Sequence, residues 1–205
     1  YLSNQFKDKD YDNAIQFWNN LNIYKEKDCT RICFFGTIGH QFDFDTIIEV
    51  ARKWTDCKRN IQFVLCGTGD RLEALKKASS NLSNVIFPGY LNAAQIKVLM
   101  EISDIGLCPY YPKENFLKSI PGKAIEYLSE GLPLLCSLKV SILGNLIKDN
   151  ELGYNYESGN IDSLDKAIND FCKLNNSKEK YRQKILKFFH ENFDAKSVYK
   201  KYMKH

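Results

Sequence analysis

Six short apolar segments, each closed by turn-forming residues, decide most of what this chain can become. Arg31–Phe35 ends at Gly36, Ile61–Cys66 at Gly67, Val85–Phe87 at Pro88-Gly89, Ile105–Cys108 at Pro109 and Leu134–Cys136 at Ser137; Leu152–Tyr156 is a weaker sixth. Runs this short and rich in Val, Ile, Phe and Cys predict strands buried on both faces. The gaps between them carry helical period. Ile48, Ala51 and Trp54 fall on one stripe of Asp45–Trp54, and Leu72, Leu75 and Ala78 on one stripe of Leu72–Ala78. Ala94–Ile102 and Lys123–Glu130 behave likewise, the latter stopped by Gly131 and Pro133. Strands alternating with helices make βαβ units, hence an α/β fold with a parallel sheet of about six strands flanked by helices. Two further helices, roughly 161–173 and 178–192, finish the pattern, and residues 1–30 read as a polar lead-in with a short helix at Asn13–Asn20.

The chain has 205 residues, enough for one large domain or two small ones. No apolar run approaches the roughly 18 residues of a membrane span, so an integral membrane protein is excluded. The sequence opens at Tyr1 with neither an initiator methionine nor a signal peptide, and a piece cut from a longer protein is expected. Seven cysteines (29, 33, 57, 66, 108, 136 and 172) cannot all pair within one chain. Cys33, Cys66, Cys108 and Cys136 sit inside apolar runs and behave as small hydrophobes. With no C-x-x-C, and with His40, His190 and His205 far from any cysteine pair, no metal site is expected; reduced thiols point to the cytoplasm.

Charge is unevenly spread. Residues 173–205 hold ten Lys/Arg against three acids, while the other 172 residues hold 19 against 22. Phe188, Phe189, Phe193, Tyr199 and Tyr202 interleave with those lysines. Two readings stand open: an amphipathic helix docked on its own protein, or peripheral contact with an anionic membrane surface. No nucleic-acid-binding motif accompanies the charge, and no nucleic acid partner is expected.

In open parallel sheets, ligands bind beyond the carboxyl ends of the strands. The turns at those ends are rich in glycine: Gly36-Thr37-Ile38-Gly39, Gly67-Thr68-Gly69, and Gly89 after Pro88. Glycine there serves plain βα turns, and it also lets backbone amides approach a phosphate. Residues 118–133 read KSIPGKAIEYLSEGLP. Pro121 suits the first turn of a helix, leaving the amides around Ser119, Ile120 and Gly122 unpaired at the positive helix end. Lys123 in that first turn opposes the dipole, a placement that favours a bound anion. Glu126 lies three residues further on the same face, where a carboxylate can accept hydrogen bonds from vicinal hydroxyls such as those of a ribose. A solvated ion pair on a helix face is the plainer account of the same two residues.

These phrases resemble the C-terminal, nucleotide-sugar-binding half of family-4 retaining glycosyltransferases of the GT-B architecture, in the branch that builds bacterial surface polysaccharides. The resemblance covers roughly 31–193 and rests on FFGTIGHQFDFDTIIEVARKW, IQFVLCGTGDRLEALKK, NVIFPGYLNAAQIKVLMEISDIGLCPY and SIPGKAIEYLSEGLPLLCS in that order. It implies a Rossmann-like domain over 31–193, a lead-in from a missing N-terminal domain at 1–30, and a basic crossover segment at 194–205. It further implies that Glu126, as the second acid of an E-x7-E motif, holds the ribose, and that Lys123 and the amides of Ser119, Ile120 and Gly122 meet the diphosphate. Gly67 and Gly69 would border the nucleotide, Tyr90 and Leu91 would frame the base, and Gly36 and Gly39 would line the cleft. Expected partners are a nucleotide-sugar donor, a UDP-sugar by preference, and a glycan or lipid-linked acceptor; no cofactor and no metal is implied.

The sequence departs from the family pattern in two respects. Lys118 stands where the first acid of E-x7-E belongs, with Glu114 out of register. Thr37, His40 and Gln41 stand where many members carry an Arg and a Lys after the first strand. Sugar-nucleotide epimerases share the architecture, and a flavodoxin-like binding module is the non-enzymatic alternative. Asp43-Phe44-Asp45 is a D-x-D string, read as helix capping rather than metal binding because it precedes a helix.

Overall fold

The computed structural model describes residues 7–26, 28–57, 60–174 and 177–194. Its six strands are β1 (Thr30–Phe35), β2 (Ile61–Cys66), β3 (Val85–Ile86), β4 (Ile105–Cys108), β5 (Leu134–Cys136) and β6 (Gly153–Asn155). All pair in parallel in the order β3-β2-β1-β4-β5-β6. The helices are α1 (Asp8–Asn20), α2 (Phe44–Asp56), α3 (Leu72–Ala78), α4 (Ala93–Ile102), α5 (Glu114–Leu117), α6 (Gly122–Ser129), α7 (Ile142–Asn150), α8 (Ile161–Cys172) and α9 (Lys178–Asn192). β1 lies at the centre and is buried along its whole length, as a strand covered by helices on both faces must be. The chain leaves β1 toward β2 and β3 on one side and resumes at β4 on the other, so β1 and β4 form the switch point of the sheet.

Side chains set the helix starts. Asp43 caps α2, Ser141 caps α7 and Asn160 caps α8, while Asn92 and Gln95 complete a capping box on α4. Asp43 does more than cap. Its buried carboxylate accepts from the Thr46 amide and hydroxyl, from Ser158 Oγ at 2.9 Å and from the Gly159 amide at 2.6 Å. With those bonds made, it tethers the loop after β6 to the start of α2, and the D-x-D string has a structural explanation. Among the described residues no group of three or more His, Cys, Asp or Glu side chains is placed to hold a metal ion.

Several elements differ from the sequence reading. Strands Val85–Phe87 and Leu152–Tyr156 are shorter, at Val85–Ile86 and Gly153–Asn155. The short lead-in helix spans Asp8–Asn20 and packs on α4: Trp18 is 1% exposed and its Nε1 donates to the Gln95 carbonyl at 2.9 Å. Helix α7 has no counterpart in the sequence pattern above, yet a parallel β5–β6 pair requires a crossover, and Ser141 ahead of an apolar stretch marks its start. In α9, Ile185 and Phe189 are buried while Phe188 and Phe193 pack against the core, so its apolar side is turned toward its own domain. Tyr199, Tyr202 and the expected crossover beyond 194 lie outside the described residues. The seven cysteines are all free thiols, and burial pushes Cys33 and Cys136 up to about 12.

Candidate functional site

The carboxyl ends of β1, β2 and β3 are stitched together by main-chain bonds. The Gly36 amide donates to Cys66 O (3.1 Å), Gly67 to Gly89 O (2.7 Å) and Ile38 to Thr68 O (2.8 Å). Glycine is demanded at two of these places by close packing: a Cβ on Gly67 would lie 1.7 Å from Gly36 O, and one on Gly69 would lie 2.1 Å from Ile38 O. Both also have φ in the region that disfavours side chains. The interlocked loops leave a cavity of about 240 Å³ between them. Its walls include Phe35, Gly36, Gly67, Tyr90 and Leu91, with Tyr90 79% exposed at the mouth. Thr37 and Thr68 add hydroxyl-bearing residues to the lining, and Ile96 reaches it from α4. Gly39 and Gly69 are not part of the lining; Gly69 serves the loop-on-loop packing just behind it, and Gly39 lies against the Gln41 side chain of its own loop.

Helix α6 closes the site from the β4 side. Pro121 is its N-cap rather than its first helical residue, with φ −61° and ψ 139°, and no side chain caps the helix. The first amides, Gly122 and Lys123, are therefore available at the positive end of the helix. A Cβ on Gly122 would meet nothing within 4 Å, so the space in front of that turn is open. Ser119 is exposed, and its hydroxyl is occupied by the Asn115 carbonyl at 2.7 Å. Ile120 packs against the core.

Lys123 folds back across the strand end. Its Nζ lies 4.3 Å from the Phe34 ring centroid and 4.7 Å from that of Phe35, and 2.7 Å from where a Cβ on Gly36 would be. Among the described residues no carboxylate lies at ion-pair distance from it, Glu126 acting only from further off, and burial pushes its pKa below the usual lysine value. Glu126, half-buried one turn later, is pushed up by burial and held back by Lys123. The position of α6 depends on Tyr127, which is fully buried and donates from its hydroxyl to Cys33 O at 3.0 Å. Tyr127 lies on Gly106 of β4, where a Cβ would come within 2.3 Å of the ring. Gly106, Tyr127 and the Phe34–Phe35 pair were not singled out from sequence, because their contacts join strands and helices distant along the chain. Lys118 is turned to Glu114 across α5, an exposed pair at 2.5 Å.

Gly36 thus joins two features at the switch point: a nucleoside-sized cavity on its β2 side, and a cation with open helix amides on its β4 side. A doubly wound α/β domain of the GT-B type is what the sheet order and this site define. The chain belongs to the family described as Glycosyl transferases group 1, which matches residues 16–188. It is 25% identical over 107 residues to the 2-deoxystreptamine N-acetyl-D-glucosaminyltransferase of Niallia circulans, a match that covers 51% of this chain and 26% of that one. The chain thus spans about a quarter of that relative's length. Solved structures of the same fold include Anabaena Alr3699/HepE in complex with UDP (TM-score 0.72, 14% identity, 97% of this chain and 52% of that one). Another is the C-terminal domain of the glycosyl transferase group 1 family protein LpcC from Francisella tularensis (TM-score 0.68, 16% identity, 88% of this chain and 92% of that one).

Proposed function

We propose that this chain is the donor-binding domain of a retaining glycosyltransferase, which moves a sugar from a UDP-sugar to a glycan or lipid-linked acceptor in polysaccharide assembly. The observation that carries the reading is the Lys123 ammonium, held between two aromatic rings beside Gly36 and ahead of the open amides of α6. A cation kept in a partly desolvated place, with Glu126 near enough to act on it but no carboxylate at ion-pair distance among the described residues, is prepared for an anion that arrives with the ligand. The nucleoside enters the cavity under Tyr90 and Leu91, the ribose hydroxyls donate to Glu126, and the diphosphate meets Lys123 and the amides of Gly122 and Lys123.

As the glycosidic bond to the diphosphate breaks, negative charge grows on the departing oxygen. Amides fixed at a helix start and a cation already in place stabilise that charge without reorganising. Lys123 and Glu126 are the residues given direct roles at the donor; the reading calls for no metal and no further cofactor. Cytoplasmic location, with peripheral contact to an anionic membrane face, belongs to the same proposal. Among the described residues no helix is long and apolar enough to cross a membrane.

Calorimetry with UDP, GDP and ADP tests the domain's role. UDP binding that falls on removal of the Glu126 carboxylate supports it, and silence toward every nucleotide overturns it. Product analysis on the full-length protein, with a UDP-sugar and a glycan acceptor, separates transfer from epimerisation.

A further inference from the structure

Among the described residues, strand β6 ends the sheet and pairs with β5 on one side only. The Leu134 amide donates to Leu152 O and the Tyr156 amide to Cys136 O, both at 2.9 Å. These bonds direct residues 152, 154 and 156 toward β5. Intervening residues of a parallel ladder point the other way, so the main-chain N–H and C=O of Gly153 and Asn155 face outward. Beyond them lies a groove of about 1020 Å³, against 240 Å³ for the donor cavity. Tyr154 and Tyr181 line it. Lys139 and Lys148 stand on the α7 side and Lys180 and Lys184 at the α9 side, and the one carboxylate in the lining among the described residues, Glu151, is paired with Lys184.

We propose that this edge docks an acidic peptide segment of a partner protein, which adds to β6 as a seventh strand. An extended chain about 4.8 Å from β6 meets the outward groups of Gly153 and Asn155 with its own amides and carbonyls. Its side chains point alternately to the two sides, where lysines wait on both, so acids at successive positions are favoured. The same lysines repel a second copy of this edge, which removes self-pairing as the occupant. A flat membrane surface cannot enter a groove to answer main-chain groups, and an anionic sugar chain answers the lysines alone.

The test uses the 205-residue chain labelled with nitrogen-15 and an end-capped pentapeptide, Glu-Glu-Val-Glu-Glu, as probe. Shifts and slowed exchange at the Gly153 and Asn155 amides are expected, with affinity at least about tenfold weaker in the Lys148→Glu, Lys180→Glu double variant and falling with salt. Both lysines are exposed, so the fold and UDP binding should survive the change. A peptide of equal charge, N-methylated at alternate residues, should lose the effect at the two amides. No response at millimolar peptide overturns the proposal. So does an equal response to the N-methylated peptide, or the same amide shifts from oligogalacturonate or anionic vesicles, which would assign the groove to a different anion.

Discussion

Lys123→Met deletes one charge and keeps most of the stem, and the structure gives the two consequences different sizes. For folding, the change loses the attraction of an ammonium for two rings, about 1–2 kcal/mol when desolvated. It gains back the penalty of burying a charge, and the Met sulfur contacts the same rings, worth about 0.3–1.5 kcal/mol. Net stability should stay within about 1 kcal/mol, which for a chain of this length is roughly 2–4 °C in Tm. For binding, a unit charge about 4 Å from a phosphate oxygen at an effective dielectric of about 20 is worth about 4 kcal/mol. A charge-assisted hydrogen bond measured by deletion gives about 1.5–3 kcal/mol. UDP affinity should therefore fall by about 2–4 kcal/mol, or roughly 30- to 700-fold.

The pH dependence follows from the direction of the shift. Burial lowers the folded-state pKa of Lys123 below the usual value of about 10.4, so its protonated form opposes folding. That destabilisation is complete below the depressed value and vanishes as pH rises toward 10.4. Affinity runs the opposite way: level at lower pH, then declining as the ammonium loses its proton, with the decline from this group absent in Lys123→Met. Calorimetry with UDP across this range, with thermal unfolding of both proteins, decides the matter. A Kd within threefold of the parent's, or a Tm loss above roughly 8 °C, refutes the assignment of an anion-binding cation.

Other residues give independent checks. Glu126→Gln should weaken UDP binding by about 1.5–3 kcal/mol but leave 2′,3′-dideoxy-UDP almost unaffected, because only the former offers ribose hydroxyls to the carboxylate; equal losses for both ligands would discard the ribose role. Gly122→Ala should fold normally or gain about 0.5–1 kcal/mol, since its Cβ meets nothing within 4 Å, yet UDP titration should show weakened binding where the methyl enters the diphosphate space. Gly67→Ala should instead cost about 2 kcal/mol or more in denaturant unfolding, because its Cβ meets the Gly36 carbonyl. Asp43→Ala should cost about 2–3 kcal/mol, roughly 4–12 °C in Tm, by stripping the α2 cap and leaving Ser158 and Gly159 without their acceptor.

What the sequence discloses and what it conceals divide along the range of the interactions. Strands buried on both faces cannot hide, since Ile61–Cys66 must be apolar at every position or nearly so, and Gly67 then stops the run. The start of α6 is legible because proline, glycine and lysine in succession make poor sense as plain helix, although the cap falls on Pro121 itself. Gly106 is different. Within IGLC it looks like a weak strand residue, and only the ring of Tyr127, 21 positions later, explains why no side chain fits. The glycines after β2 follow the same logic. Their need for φ beyond the ordinary range was readable as a turn, whereas the Gly36 and Ile38 carbonyls that forbid a Cβ belong to a loop thirty residues earlier.

The same long-range view accounts for the missing basic residues after β1. Thr37, His40 and Gln41 occupy the loop where the family resemblance leads one to expect an Arg and a Lys. His40 is exposed and faces Asp70 at 3.2 Å, and Gln41 bends its amide toward Gly39, so neither offers a cation to the cleft. A diphosphate, however, responds to where positive charge stands and not to which element supplies it. Lys123 starts from α6 and delivers its ammonium to the main chain of Gly36, the first residue of that very loop. The rings of Phe34 and Phe35 hold it there, and both come from the strand that the loop follows. A lysine added to the loop, as in Thr37→Lys, would place a second cation near the first. On this account it should raise UDP affinity only where Lys123 has been removed, and restore part of the Lys123→Met loss. No rescue in the double variant, with the fold intact, would mean that the two elements do not serve one anion site.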